Sequence, residues 1–270
     1  MGSWTGPANF SQMKTKFQDK PAVYPRECPD GKALKSLPQA LLDRRATSHF
    51  RPDAVPQEYL DAILRLGAQA PSGYNLQPWR FLVVREKENR ERLQSAAYGQ
   101  AKIAEAPVVI IAFGVPDDWQ NYFDEVFEEG LRRGYGKPEI IPDLKQKASA
   151  FLKEIPQTVW INRHTMIAVT TMMYVAEIYG LDTAPMEGFD PIAVRREFGL
   201  PANAEVVALL ALGFAAEPDK PYGGRLDISE IVYDEHFSRQ WNNTSESPDR
   251  LARKMFDEIE RKSTKPFNPA

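Results

Sequence analysis

The sequence predicts a single α+β domain, spanning 37–240, in which helices flank a mixed β-sheet. The chain has 270 residues and 43% of them are hydrophobic, which is enough for one large core. Three short runs are apolar throughout, as expected for strands buried on both faces, and they lie at 81–84, 107–113 and 205–214. Longer segments with apolar residues at helical spacing alternate with these runs and predict the helices.

The composition argues against several classes of protein. A net charge of −3 gives no electrostatic basis for binding nucleic acid. Cys28 is the one cysteine, so no internal disulfide is possible, and the three histidines form no metal-ligand pattern. The first residues lack a signal-peptide pattern, and no apolar run reaches membrane-spanning length. We therefore expect a cytoplasmic protein without metal, membrane or nucleic-acid partners.

The N-terminal third of the chain predicts an irregular extension followed by helices. Residues 1–36 contain several prolines and few periodic apolar positions, so this extension either wraps a surface or is partly mobile. A short helix is expected at 36–42. The segment 56–70 is amphipathic and predicts a helix that starts at Pro56, a residue suited to the first helical position. A charged segment at 87–97 predicts a further short helix.

The segment 117–155 interrupts the alternation of strands and helices, so we interpret it as an insertion. It begins with a stripe of apolar, mostly aromatic residues at helical spacing, and a second helix is expected at 142–153. The stripe either fills the core or forms a wall of a substrate pocket. Its members are Trp119, Tyr122, Phe123, Val126, Phe127 and Leu131.

The longest predicted helix runs from 158 to 179, and Glu177 is the one charged residue between 166 and 178. A helix that is apolar all round is buried on all sides, which requires a central position or a partner subunit. A short strand is expected at 228–233. The tail at 241–270 is polar apart from one helical stripe, so it packs on something, such as a partner subunit, or is mobile. The stripe consists of Leu251, Met255, Phe256 and Ile259.

A loop rich in turn residues lies between the helix at 56–70 and the first strand. Pro71 ends the helix, and Ser72 and Gly73 favour a turn. Together with Asn75 they offer hydrogen-bonding groups and bare backbone, so a flat polar ligand can lie close to the main chain. Taken alone, the pattern is also that of an ordinary turn.

Three further segments accompany this loop, at 44–53, at 185–190 and at the lone Arg225 after the last apolar strand. In this order and spacing, the four segments resemble the FMN-dependent nitroreductase family over about residues 42–233. The resemblance implies the nitroreductase fold, a homodimer with exchanged C-terminal segments, FMN as cofactor and NAD(P)H as electron donor.

The resemblance also implies how the FMN phosphate is held. Arg44, Arg45 and Arg225 would supply the clamp, since guanidinium groups bind a phosphate dianion well. The family has a serine where this chain has Ala46, and often a basic residue where this chain has Gly223. Binding of the phosphate would therefore depend on Arg44 and Arg225. Without the other segments, Arg44 and Arg45 are also the pattern of a solvated pair at a helix end.

Contacts to the flavin ring follow from the same resemblance. The loop at 71–75 would reach the ring from the neighbouring subunit, and a backbone N–H of Glu187 or Gly188 would face N5. Gln100 and Lys102 could address the pyrimidine edge, where a cation favours the reduced anionic flavin. A tight turn, plain packing and a solvated loop remain alternative interpretations. The ring contacts are thus assigned to Pro71, Ser72, Gly73, Asn75, Gln100, Lys102, Pro185, Met186, Glu187 and Gly188.

The predicted activity is that of an FMN-dependent oxidoreductase. A hydride would pass from NAD(P)H through flavin N5 to an electron-poor acceptor, a nitroaromatic or a quinone, with both substrates using one pocket in turn by a ping-pong mechanism. No catalytic side chain is expected, because the cofactor carries the chemistry. Two alternatives stay open: another flavin reductase of this fold, such as a reductive dehalogenase or an ene-type reductase, and a non-catalytic flavin-binding dimer.

Other chemistries find no support in the sequence. It has no Gly-x-Ser-x-Gly nucleophile motif, no phosphate-binding loop and no Gly-x-Gly-x-x-Gly after a strand. His164, in the long helix, is interpreted as a hydrogen-bonded core residue rather than a base.

Overall fold

The computed structural model describes residues 16–17, 24–216 and 221–241, and the chain divides into two units, 1–219 and 220–270. The first unit contains four strands and eight α-helices among its described residues. The strands are β1 (Trp79–Val84), β2 (Val108–Gly114), β3 (Asp182–Met186) and β4 (Glu205–Gly213). The helices are α1 (Leu37–Asp43), α2 (Gln57–Gly67), α3 (Lys87–Ala96), α4 (Ala101–Glu105), α5 (Phe123–Arg132), α6 (Ile141–Glu154), α7 (Gln157–Ile178) and α8 (Pro191–Phe198).

The four strands form one sheet in the order β1-β2-β4-β3, and every pairing is antiparallel. The prediction of a mixed sheet is therefore wrong for these strands. The parallel contact seen in the described residues is an isolated bridge between Ala46 and Thr183, which lies outside the four strands. Strand direction was not decided by the apolar runs, because a run that is buried on both faces reads the same in either direction.

The sheet separates two apolar layers, and the side chains of β2 alternate between them. Val109 and Ile111 pack with residues of α3, α4 and α8 on one face. Val108 and Ile110 pack with residues of α2 and α7 on the other face. The α+β prediction, with helices flanking a sheet, is confirmed. Among the described residues, no helix is long and apolar enough to cross a membrane.

Helix α7 packs one face against the sheet and α2, while Val159, Arg163 and Ile167 are exposed on another face. The expected burial on all sides is therefore not reached within one chain.

The one buried charge of helix α7 is paired. Glu177 accepts a hydrogen bond from Nζ of Lys35 at 2.5 Å, and Lys35 also lies 3.3 Å from Asp43. Burial lowers the pKa of Lys35, but the hydrogen bonds and charges of Glu177 and Asp43 outweigh it and raise that pKa. The network holds the end of α1 against α7. It therefore fixes the position of the backbone from which Arg44 and Arg45 follow.

Several boundaries differ from the sequence prediction. Helix α2 ends at Gly67 rather than Ala70, because its last residues tighten into turns closed by bonds from Gln69 to Leu66 and from Ala70 to Gly67. Strand β1 is an edge strand whose middle residues are half-buried, so the expectation of burial on both faces is wrong. Helices α4 and α8 were not predicted, although Asp190 before Pro191 is a typical helix start.

The second unit, considered by itself, has one short helix among its described residues, α9 (Ile228–Ile231). The prediction of a strand at 228–233 is wrong. The side chain of Asp227 accepts a hydrogen bond from the backbone N–H of Ser229 and caps the helix, and Tyr233 makes only an isolated bridge with Gln240. The predicted tail stripe at 251–259 lies outside the described residues.

Candidate functional site

The segment that follows α1 runs beside β3, at the edge of the sheet. Ala46 forms a bridge with Thr183, and the backbone N–H of Thr47 donates to the carbonyl of Thr183 at 3.1 Å. Arg44 and Arg45 therefore lie where α1 ends and this bridge begins. The two predicted phosphate ligands therefore lie beside the open edge of β3.

The chain that leaves β3 presents free backbone donors. Pro185 and Met186 are the last residues of β3, and Glu187 and Gly188 follow as an exposed turn. The N–H groups of Glu187 and Gly188 donate to no acceptor within the residues that the structure describes. The side-chain amide of Gln100 donates to the carbonyl of Gly188 at 2.7 Å and holds this turn in place.

Helix α4 lies between these two segments and contacts both. At its start, Gln100 binds Gly188; at its end, the carboxylate of Glu105 accepts from the backbone N–H of Phe50 at 3.3 Å and pairs with His49 at 3.2 Å. Lys102, on the same helix, is therefore held between the two segments. The role of Glu105 was not predicted from the sequence, because no local pattern marks this residue. We call this group the β3-edge cluster: Arg44, Arg45, Ala46, Gln100, Lys102, Pro185, Met186, Glu187 and Gly188.

The cations of the β3-edge cluster suit an anionic ligand. Arg44 and Lys102 are half-buried, and neither makes an ion pair with a described residue. Arg45 differs, because its guanidinium donates to the carbonyl oxygens of Leu42 and Arg44, at 2.6 and 2.9 Å. Half-buried cations without a partner are stabilised by binding an anion. With the free N–H groups after β3, these residues fit both a phosphate and the electron-rich edge of a flavin ring.

The other predicted contact, the loop at 71–77, is held in a strained conformation. Tyr74, Asn75 and Gln77 all have positive φ, at 53°, 57° and 44°. Such conformations cost about 1–3 kcal/mol each for residues other than glycine and persist only where the surroundings hold them. The hydroxyl of Ser72 accepts from the backbone N–H of Gln77 at 2.9 Å, and the buried side chain of Leu76 anchors the loop in the core.

This loop and the β3-edge cluster lie at opposite edges of the sheet within one chain. The loop leads into β1, whereas the cluster surrounds β3, and β2 and β4 lie between. Three strand spacings of about 4.8 Å place β1 and β3 roughly 14 Å apart. One chain therefore brings together nine of the predicted contacts and leaves the four at Pro71, Ser72, Gly73 and Asn75 elsewhere.

Arg225 belongs to the second unit. Arg225 is exposed, and one guanidinium nitrogen donates to the carbonyl of Gly224 at 2.6 Å. Its Cζ lies 5.7 Å from the centroid of the Tyr222 ring. Its predicted role in binding phosphate stays a prediction.

The aromatic stripe of the insertion packs mainly on itself and on the core. Trp119 and Phe127 are buried, and Phe123 lies between them with ring centroids 5.3 and 5.0 Å away. Tyr122 is half-buried, and burial raises the pKa of its hydroxyl. Arg80 contacts the ring of Tyr122 and donates to the carbonyl of Gln77 at 3.3 Å. The insertion is thereby joined to the strained loop.

Comparison with known proteins identifies the class. The profile of the nitroreductase family matches residues 41–214. The chain belongs to the nitroreductase family of oxidoreductases, and the predicted family membership is confirmed.

Individual relatives agree with this assignment. The chain is 38% identical to a protein named NADH dehydrogenase from Thermus thermophilus, over 72% of this chain and 93% of that protein. It is 30% identical to YdgI of Bacillus subtilis, named as an NAD(P)H nitroreductase, over 70% of this chain and 92% of that protein. A nitroreductase-like protein from Streptococcus mutans has a similar structure, with a TM-score of 0.66, 25% identity, and coverage of 73% and 97% of the two chains.

A further solved structure, a nitroreductase from Exiguobacterium sibiricum in complex with FMN, shares the fold. Its TM-score is 0.67 at 24% identity, and the match covers 73% of this chain and 96% of that chain.

Proposed function

We propose that this chain is an FMN-dependent oxidoreductase that transfers a hydride from NAD(P)H to an electron-poor acceptor, a nitroaromatic or a quinone. The observation that carries the proposal is the β3-edge cluster. It combines unpaired cations at Arg44 and Lys102 with free N–H groups at Glu187 and Gly188. The names of the relatives from T. thermophilus and B. subtilis support a nicotinamide donor, and the FMN complex from E. sibiricum supports the cofactor.

When bound, FMN supplies the hydride chemistry, accepting at N5 and donating from N5. The residues of the chain bind and orient it. Arg44 would neutralise the phosphate, and the free N–H groups of Glu187 and Gly188 would donate to the ring near N5. Lys102 would stabilise negative charge on the pyrimidine edge, which favours the reduced cofactor. None of these roles requires a side chain to exchange a proton.

We propose further that the active form is a homodimer in which the loop at 71–77 of one subunit completes the site of the other. The position of this loop at the β1 edge, away from the β3-edge cluster, supports the proposal. So does the outer face of α7, where Val159 and Ile167 are each 40% exposed on either side of the exposed Arg163. A two-fold axis pairs such a face with itself, so one interface creates two equivalent sites.

A spectroscopic experiment tests the function. The protein is incubated with FMN, freed of unbound flavin, and examined for the visible flavin absorption band under anaerobic conditions. We expect the band to bleach on addition of NADH or NADPH and to return with a quinone or a nitroaromatic compound. A protein that retains no flavin would contradict the proposal, as would bound flavin that neither nicotinamide reduces.

A further inference from the structure

The loop at 71–77 is tied to α7 by a histidine that lies far from it in sequence. The backbone N–H of Gly73 donates to Nε2 of His164 at 3.0 Å, and Nδ1 of the same ring lies 2.7 Å from the carbonyl oxygen of Trp160. A carbonyl oxygen only accepts, so Nδ1 carries the hydrogen; a backbone N–H only donates, so Nε2 carries none. The two contacts together define one neutral tautomer of His164.

Protonation of His164 is incompatible with this arrangement. A hydrogen on Nε2 would point at the N–H of Gly73, so a hydrogen bond would be replaced by two opposed donors. The Cα of Gly73 also packs closely against both rings. A Cβ added to Gly73 would lie 3.3 Å from Nε1 of Trp160 and 3.5 Å from Nε2 of His164.

The charged and titratable groups near His164 make no ion pair with its ring within the described residues. On α7, the ring packs at a tilt of 56° against that of Trp160, with centroids 5.0 Å apart, and Arg163 is the adjacent charged residue. On the loop, Tyr74 is the titratable neighbour, and it packs against Phe151 of α6 at 6.2 Å. Within the described part of the chain, no carboxylate pairs with the ring. Glu205 reaches the same helix, but it binds Asn162 at 2.9 Å.

We propose that neutral His164 is a positioning residue that holds the loop at 71–77 in its binding conformation, and that acid releases this loop. The inference rests on the proposed function, because it assigns this loop to flavin binding. Three of the loop residues have positive φ, so the conformation depends on outside contacts, and the bond from Gly73 is a hydrogen bond that ties the loop to α7. Flavin affinity should therefore decline as the pH falls through the range in which histidines gain a proton.

The test compares the parent chain with two variants by titration with FMN at about pH 8 and about pH 5.5, a range spanning typical histidine titration. We expect the parent to lose affinity about tenfold on acidification, the effect of leaving one buried donor unsatisfied. His164→Gln retains an acceptor oxygen and cannot gain a proton, so it should remove most of the difference. His236→Gln, in the second unit, is the control that should keep the parent difference. The FMN phosphate also titrates near this range, but it does so alike in every variant.

A second measurement does not depend on FMN. In protein labelled with ¹⁵N at histidine and glycine, the His164 ring should be in the Nδ1–H form at neutral pH. The amide signal of Gly73 should shift as that ring titrates, and this shift should be absent in His164→Gln. Failure to bind FMN at any pH would reject the proposed function while leaving this readout intact. An Nε2–H ring, or a His164→Gln protein with the parent's pH dependence, would overturn the inference.

Discussion

Gln100 donates its side-chain amide to the carbonyl oxygen of Gly188 at 2.7 Å and joins two segments that are 88 residues apart. The sequence suggested that Gln100 addresses the flavin directly. Its amide nitrogen is instead used within the protein, where it orients the turn that carries the free N–H groups of Glu187 and Gly188. The contribution of Gln100 to cofactor binding would then pass through this turn.

Replacement of Gln100 by alanine should therefore weaken FMN binding without unfolding the protein. A hydrogen bond between neutral groups contributes about 0.5–1.5 kcal/mol, so we expect a loss of about two- to tenfold in affinity. Gln94→Ala is the matched control, since Gln94, on α3, donates its side-chain amide to the carbonyl of Gly99 at 3.3 Å, just before α4. Titration of flavin fluorescence measures both. Equal affinities for the two variants would refute the role of Gln100.

The phosphate clamp can be tested by comparing FMN with riboflavin, which lacks the phosphate. A charge-assisted hydrogen bond contributes about 1.5–3 kcal/mol, so Arg44→Ala and Arg225→Ala should each weaken FMN binding about ten- to a hundredfold. Riboflavin binding should change little. Arg239→Ala is the control in the second unit, because Arg239 pairs with Asp234 at 2.9 Å. A variant that retains FMN through dialysis as well as the parent would remove that arginine from the clamp.

The proposed dimer predicts a specific sensitivity on α7. Ile167→Lys adds a charge to the exposed face of α7, and two-fold symmetry would bring it into the interface from both subunits. We expect dissociation at micromolar concentration and release of FMN, because burying an unpaired charge is strongly unfavourable. Ile192→Lys, at a more exposed position on α8, should leave assembly unchanged. Sedimentation measures both, and a parent protein that is a yellow, active monomer would end the proposal.

Acid stability of the insertion should depend on Glu129. Hydrogen bonds from Arg132 and Arg133 lower the pKa of Glu129 to about 2. A carboxyl whose pKa is lower in the folded state contributes stability above its ordinary pKa, and this contribution is lost as the pH falls towards 2. Glu129→Gln should therefore lower the melting temperature at neutral pH, and the difference from the parent should shrink on acidification. A difference that is independent of pH would show that the carboxylate charge is not involved.

Local sequence patterns predicted the elements whose cause is local. The apolar runs located β2 and β4, the spacing of apolar residues located α2 and α7, and Ser36 marked the start of α1, where its side chain accepts from the N–H of Gln39. The prediction of a strand at 228–233 was wrong because it, too, used only a local pattern. Apolar residues there satisfied the pattern of a strand, but a strand needs a neighbour, and the cap at Asp227 favoured a helical turn.

The sequence by itself determined the family, the segments that carry the candidate site and the position of the longest helix. Only the tertiary structure decided which of those segments meet. The order of the strands places the β3-edge cluster and the loop at 71–77 on opposite edges, and the fold brings His164 to Gly73 across 91 residues. The physical reason is that hydrophobic periodicity records whether a side chain is buried, whereas strand order and long-range hydrogen bonds depend on how all the elements pack together.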